Sequence, residues 1–404
     1  MNDLSTVIDT TTAVIPAPAT RPELESLPWW CAADAAAEPR QFLKNFTHHP
    51  PTPLLALDAL AARLGLGSLH AKDESFRLGL SSFKGLGGAY AVMRVAQRHA
   101  EAALGRPVLP HELLTPEIRA RSADLTFCCA SDGNHGRSVA AGARLIGARC
   151  TIFLHAGVSE ERVAHIERLG ATIVRIDGSY DDSIAEAARS VDRHGSVLVP
   201  DIVSADDVET AQVCGHVMQG YSILVDEIFD VARERKLDFT HVFVQAGVGG
   251  LAAAVLGHWS ALAGPNRSPR FIIVEPERAA CLTESARAGR LVTLPHGPAT
   301  IMAMLECQSA SPLAWPVVHA LADAYVTVAE EDARQAVKHL AWPKGADPVI
   351  EAGESGAAGL AGLERLLADK PLAAQLGLDG EAKVLVIITE GPTDRSQWSG
   401  RTRQ

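Results

Sequence analysis

The sequence predicts an α/β protein built on two mostly parallel sheets flanked by helices. Three observations carry this reading. Short apolar or β-branched runs alternate with Ala- and Leu-rich helical stretches almost to the end of the chain. Those runs are continuously apolar, which marks strands buried on both faces. Finally, 404 residues exceed what one core holds comfortably, so two domains or one large split domain are expected.

Composition sets the outer limits. Hydrophobic residues make up 47% and charged residues 21%, as in a soluble globular protein with a full interior. A net charge of −11 disfavours nucleic acid or an anionic membrane as main partner. No apolar run reaches the roughly 20 residues of a membrane span. Cys31, Cys128, Cys129, Cys150, Cys214, Cys281 and Cys307 are odd in number and irregular in spacing. They read as reduced core thiols of a cytoplasmic protein. The 15 histidines form no HExxH or CxxC-type set, so no metal is expected, and His48 and His49 read as loop residues.

Taken in chain order, "MNDLSTVIDTTTAVIPAPATRPELES" has no basic start followed by an apolar core, and reads as a flexible lead-in rather than a secretion signal. "HHPPTPLL" at 48–55 reads as a linker, and "SLHAK" at 68–72 as the first strand. "ALGRPVLPHELLTPEIRARSAD" reads as a surface insertion between a helix and a strand. Strands are then expected at 125–130, 150–154, 172–176, 196–200, 241–246, 270–275 and 383–389, with a second linker, "AGPNRSPR", before 271.

In a parallel sheet, chemistry gathers where strands end and helices begin. Four such junctions are chemically loaded. In "SSFKGLGGAY", Lys84 stands at a helix entrance, beside Phe83, where burial would favour the neutral, nucleophilic amine. A surface lysine followed by packing glycines is the plainer alternative. In "CCASDGNHGRSVA", Asp132 can cap the next helix, Asn134 can hold the edge of a planar ligand, and His135 can be purely structural. In "VQAGVGGLAAAV", Gly247, Gly249 and Gly250 let backbone N–H groups approach an anion, although a tight turn would use the same glycines. In "VIITEGPTD", the Thr389 hydroxyl can meet a ring nitrogen, or simply suit a strand end. One ligand reconciles all four. Pyridoxal 5'-phosphate needs an amine for its aldehyde, a cradle for its phosphate and polar partners for its ring.

The strings "KDESFRLGLSSFKGLGGAYAV", "SDGNHGR", "VMQGY", "QAGVGGLAA", "TIMAMLECQSASPLAWPV" and "GESGAAGL" resemble the fold type II, tryptophan synthase β-like, pyridoxal-phosphate enzymes. Within that group they resemble the diaminopropionate ammonia-lyases most. "DGNHGR" is the feature that favours these over serine and threonine dehydratases, which typically have a small residue in place of Asp132. The resemblance implies two open twisted sheets. It also implies a large cofactor-binding domain from 1–84 and 206–404, with 1–40 as flexible lead-in, and a smaller inserted domain at 85–205.

It further implies α,β-elimination from a small amino acid, 2,3-diaminopropionate or a close analogue, giving pyruvate and ammonia in amino acid degradation. The alternatives are a dehydratase of serine, threonine or hydroxyaspartate, or a cofactor-binding relative without turnover. Lys84 would carry the Schiff base and take the Cα proton of an L-amino acid, with Asp132 the base for the D-isomer and Asp201 an acid near the substrate amine. Asn134 would bond the ring hydroxyl and Thr389 the ring nitrogen. Phe83, Gly247, Val248, Gly249, Gly250 and Leu251 would complete the cofactor site. A homodimer is implied as well.

This chain departs from the family on the substrate side. "IVSADDVETA" follows Asp201 where the family has "TAWEGY", "GPTD" replaces "GDTD", and "MAML" at 302–305 replaces "MAGL".

Overall fold

The apolar runs pair as two separate sheets in the computed structural model, which describes residues 26–46, 50–131, 133–178, 180–203, 207–264 and 269–402. The strands are β1 (Leu54–Ala56), β2 (Ser68–Asp73), β3 (Thr126–Ala130), β4 (Arg149–His155), β5 (Thr172–Ile176), β6 (Val197–Leu198), β7 (His241–Gln245), β8 (Arg270–Pro276), β9 (Ala324–Val328) and β10 (Lys383–Ile388). One sheet has the order β1-β2-β10-β7-β8-β9 and the other β5-β4-β3-β6. Every pairing is parallel except that of β1 with β2. This is the α/β fold expected from the sequence.

Each expected strand is present, although β6 shrinks to Val197–Leu198. Two strands were not anticipated. β1 overlaps the end of the expected linker at 48–55, and as a short edge strand it can follow directly on Pro51 and Pro53. β9, "AYVTV", is buried at all of its positions, and its β-branched residues were a legible signal. The segment at 103–124 corrects a second expectation. It forms a 3-10 turn, Pro110–Leu114, and a helix, Pro116–Ser122. Val108, Leu113 and Ile118 are buried, so three apolar anchors tie it to the main core rather than leaving it on the surface.

The main core runs without interruption from the small sheet to one face of the large one, joining Phe127 and Ile152 to Val242 and Ile273. A second cluster covers the other face of the large sheet, around Leu69, Phe243, Val326 and Val386. Between the sheets the helix Lys84–Leu104 packs on Asn134–Ile146 and Val208–Arg235. Its start comes close to the long helix because Gly87 and Gly220 meet there. A Cβ on Gly87 would lie 2.6 Å from the Val217 carbonyl oxygen, and one on Gly220 2.5 Å from that of Leu86. These glycines fix where Lys84 enters the interior.

All seven cysteines are free thiols, buried except for the half-buried Cys307. Among the described residues, no helix is long and apolar enough to cross a membrane.

Candidate active site

The carboxyl ends of β3, β7 and β10 and the segment after β2 converge on one cavity, as the parallel topology demands. The Lys84 segment is laced to the end of β10. Glu74 N–H donates to the Ile388 carbonyl at 2.8 Å, Phe83 N–H to that of Thr389 at 3.0 Å, and Gly391 N–H to that of Ser81 at 3.0 Å. Leu78 and Ser81 have φ of +53° and +58°, unusual for side-chain-bearing residues and tolerated where surroundings over-determine the backbone. Those surroundings include a buried ion cluster. Arg77 donates to Glu74 at 2.7 Å and to Glu227 at 2.6 Å, and Lys72 donates to Glu227 and to the Thr52 carbonyl.

Lys84 begins its helix, and its Nζ meets Asp201 Oδ2 at 2.6 Å. This pair corrects the expectation of a neutral amine. Burial alone would favour the neutral form, but the Asp201 carboxylate outweighs it and the amine holds its proton more tightly than a free lysine. Burial opposes charge on Asp201 too, yet the Lys84 cation and its hydrogen bond pull its pKa down to about 2. Phe83 packs edge-on against Tyr221 with ring centroids 4.8 Å apart, walling one side of the lysine.

The turn after β3 opens the helix Asn134–Ile146. Ser131 Oγ accepts from the N–H groups of Gly133 and Gly136, folding the turn tightly. Asn134 Nδ2 donates to Glu390 Oε2. His135 Nε2–H donates to the Val199 carbonyl at 2.7 Å, and burial pushes its pKa down, so the ring is neutral. Asp132 lies outside the described residues.

The turn after β7 opens the helix Gly250–Ala263, with Gly249 as its N-cap at φ +95°. That backbone conformation calls for glycine. A Cβ on Gly247 would stand 2.9 Å from Cys307 Sγ, so a side chain there would crowd the cavity wall. The free N–H groups of the first helical turn therefore meet the cavity without side chains in the way. Thr389 Oγ1 accepts from Gln245 Nε2 at 2.9 Å, and Glu390 beside it is raised to about 7, chiefly by burial.

The cavity holds roughly 940 Å³ of space, part of it open to solvent. Phe83, Lys84, Asn134, Asp201, Gly247, Val248, Gly249, Gly250, Leu251 and Thr389 all line it. Every site residue expected from the sequence is thus brought to one place, apart from Asp132. Sequence reasoning passed over Gln245, Tyr221, Ser355 and Glu390, which also line it. Gln245 ends β7 next to the glycine turn, Glu390 follows Thr389, and Tyr221 and Ser355 sit in "VMQGY" and "GESGAAGL", so position within those strings was the available signal. An amine, an anion cradle and ring-edge partners in one cavity fit pyridoxal phosphate.

Comparison with known proteins agrees with this geometry. A family model described as pyridoxal-phosphate dependent enzyme matches residues 46–390. The diaminopropionate ammonia-lyase of Escherichia coli strain K12 is 38% identical over 358 residues, 88% of each chain. That of Salmonella typhimurium is 35% identical over 375 residues, 89% of this chain and 91% of the relative. The crystal structure of the Escherichia coli enzyme in complex with an aminoacrylate-PLP azomethine reaction intermediate superposes with a TM-score of 0.84 at 34% identity. That match covers 96% of this chain and 95% of the other. A structure of the same enzyme in complex with D-serine superposes equally well, at 32% identity.

Proposed function

This chain belongs to the pyridoxal-phosphate dependent enzymes, and from that premise we propose that it is a carbon–nitrogen lyase acting on 2,3-diaminopropionate or a close analogue. The observation that carries the proposal is the meeting of Lys84, Asp201 and the Gly247–Gly250 turn in one cavity, in a chain resembling diaminopropionate ammonia-lyases over most of its length. The cofactor supplies, when bound, an aldehyde for an amine and an electron-withdrawing ring.

The chain's own residues supply the rest. The N–H groups at Gly249 and Gly250 bind the phosphate. Thr389 and Asn134 orient the ring, and Gln245 holds the Thr389 hydroxyl in place. Lys84 anchors the cofactor and moves the Cα proton of an L-substrate, and Asp201 is placed to receive and return the proton its amine must shed. The free N–H groups of Asn134 and His135 at their helix start suit the substrate α-carboxylate. Asp132 is proposed as base for the D-enantiomer, so Asp132→Asn should reduce turnover of the D-isomer far more than that of the L-isomer.

Elimination breaks the Cα–H and Cβ–N bonds, and hydrolysis of the resulting imine gives pyruvate and a second ammonia. Ammonia yield per pyruvate is therefore the direct test. Two per pyruvate from the diamine supports the reading. Turnover of serine or threonine alone, with one ammonia per keto acid, replaces it with a dehydratase.

In the same reading, 1–84 and 206–404 form the large domain and 85–205 the smaller one. In support, β3 to β6 all fall inside the latter range and every strand of the larger sheet outside it. A homodimer in the cytoplasm completes the proposal, in keeping with the free thiols.

A further inference from the structure

A smaller cleft, with about 200 Å³ of space that is partly open to solvent, adjoins the main cavity. Arg137, Arg162, His165, Met304 and Thr393 line the cleft, and Gly133, Asn134 and Met304 are shared with the main cavity. The two arginines are notable for what surrounds them. The Arg137 side chain makes no hydrogen bond or ion pair among the described residues, and its Nε is buried. Burial disfavours its charge, with Glu390 too distant to form an ion pair. Arg162 also has a buried, unpartnered Nε, and among the described residues its one side-chain hydrogen bond runs from Nη2 to Thr393 Oγ1 at 3.2 Å. Glu390 and Asp394 feel the Arg162 charge, but neither pairs with it.

Both arginines are half-buried, and a cation partly withdrawn from water is stabilised when an anion replaces the lost hydration. Lys72, Arg77 and Lys84 each have a carboxylate in contact. Arg137 and Arg162 have a cavity instead. Two of the substrate-side departures border it. Met304 lines the cavity where the family strings have glycine, and Pro392, next to Thr393, replaces an aspartate. The second change withholds a carboxylate beside the hydrogen-bond partner of Arg162.

We propose that this cavity is an anion subsite for a second acidic group of the substrate. The preferred substrates are then amino acids whose β-carbon carries a carboxylate as well as the leaving group. This rests on reading the main cavity as a β-elimination site, where the N–H groups of Asn134 and His135 take the α-carboxylate. In 2,3-diaminosuccinate, which is 2,3-diaminopropionate with a carboxylate on Cβ, the Cα–H and Cβ–N bonds break and ammonia leaves. One water then hydrolyses the imine to oxaloacetate and a second ammonia.

The matched pair of substrates gives the test, with holoenzyme, Arg137→Gln and Arg162→Gln, and cofactor loading checked by absorbance. In each variant kcat/KM for 2,3-diaminosuccinate should fall about 10- to 100-fold, the worth of one or two hydrogen bonds to a charged group. For 2,3-diaminopropionate the change should stay within about threefold. Calorimetry should detect succinate binding to the wild type and weaker binding to both variants. Equal losses on the two substrates, or no arginine-dependent binding of succinate, would overturn the subsite. Arginine-dependent succinate binding without turnover of either diamine would instead overturn the elimination reading and leave the subsite standing.

Discussion

Lys72 and Arg77 lie at and just after the end of β2 with Glu74, Glu227 and Thr52 around them, whereas Arg137 and Arg162 line a cavity with no carboxylate of the described residues in contact. The first pair is buried and the second half-buried, so both are at least partly drawn out of water. In the first, charge is answered from within the chain and the product is rigidity. The cluster ties the Lys84 segment to the long helix Val208–Arg235 and holds Leu78 and Ser81 at positive φ. In the second, charge is left for something that arrives. Lys84 stands between the two cases: it is paired with Asp201, and in the proposed function it must exchange that partner for the cofactor. A buried cation therefore points to function when its counter-ion is missing or must be exchanged.

The largest expected effect separates Lys84 from both clusters. Lys84→Ala should leave no detectable keto acid formation while circular dichroism stays native, and borohydride should no longer fix cofactor onto the 78–92 peptide. Reductive labelling at another lysine would refute its role.

Next comes the paired cluster. Glu227→Ala leaves Lys72 and Arg77 sharing Glu74, and should lower the unfolding free energy by about 3–5 kcal/mol in a denaturant titration. A loss below about 1 kcal/mol would make the cluster no more than a surface-like pair.

Smaller effects come from pH. Glu390 titrates near 7 in the fold against an ordinary 4.5, so the folded chain keeps a proton that the unfolded chain releases between those values. Stability of the cofactor-free protein should fall as pH rises through that window, with Glu390 contributing on the order of 3 kcal/mol. Glu275, also raised to about 7 by burial, acts in the same direction, so Glu390→Gln should remove only part of the slope. Asp201 works oppositely. Its contribution is complete above about 3.8 and is lost as pH falls towards 2. Melting temperatures of wild type and Glu390→Gln between pH 4 and 8 check the window.

The smallest effect sharpens the contrast. Arg162→Gln removes a charge with no carboxylate partner, so its unfolding free energy should change by less than about 1 kcal/mol, or rise. A loss as large as that of Glu227→Ala would place Arg162 in a structural network.

What the sequence determined by itself is whatever depends on the type and spacing of neighbouring residues. Continuous apolar runs located β2 to β8 and β10, because burial on both faces selects side chains locally. Glycine turns after β3 and β7, and Lys84 at a helix start, marked the residues that line the main cavity for the same reason. β1 escaped because three residues after a proline run carry no periodic signal, and β9 because its pattern is brief. Tertiary structure alone decided the charges. Lys84 and Asp201 are 117 residues apart, and only their 2.6 Å contact turns an amine that burial would neutralise into a firmly protonated one. Asn134 reaches Glu390 across 256 residues, and the isolation of Arg137 and Arg162 depends on which loops close around them. Hydrophobic burial is written residue by residue, whereas electrostatic energy depends on distances that exist only once the loops have met.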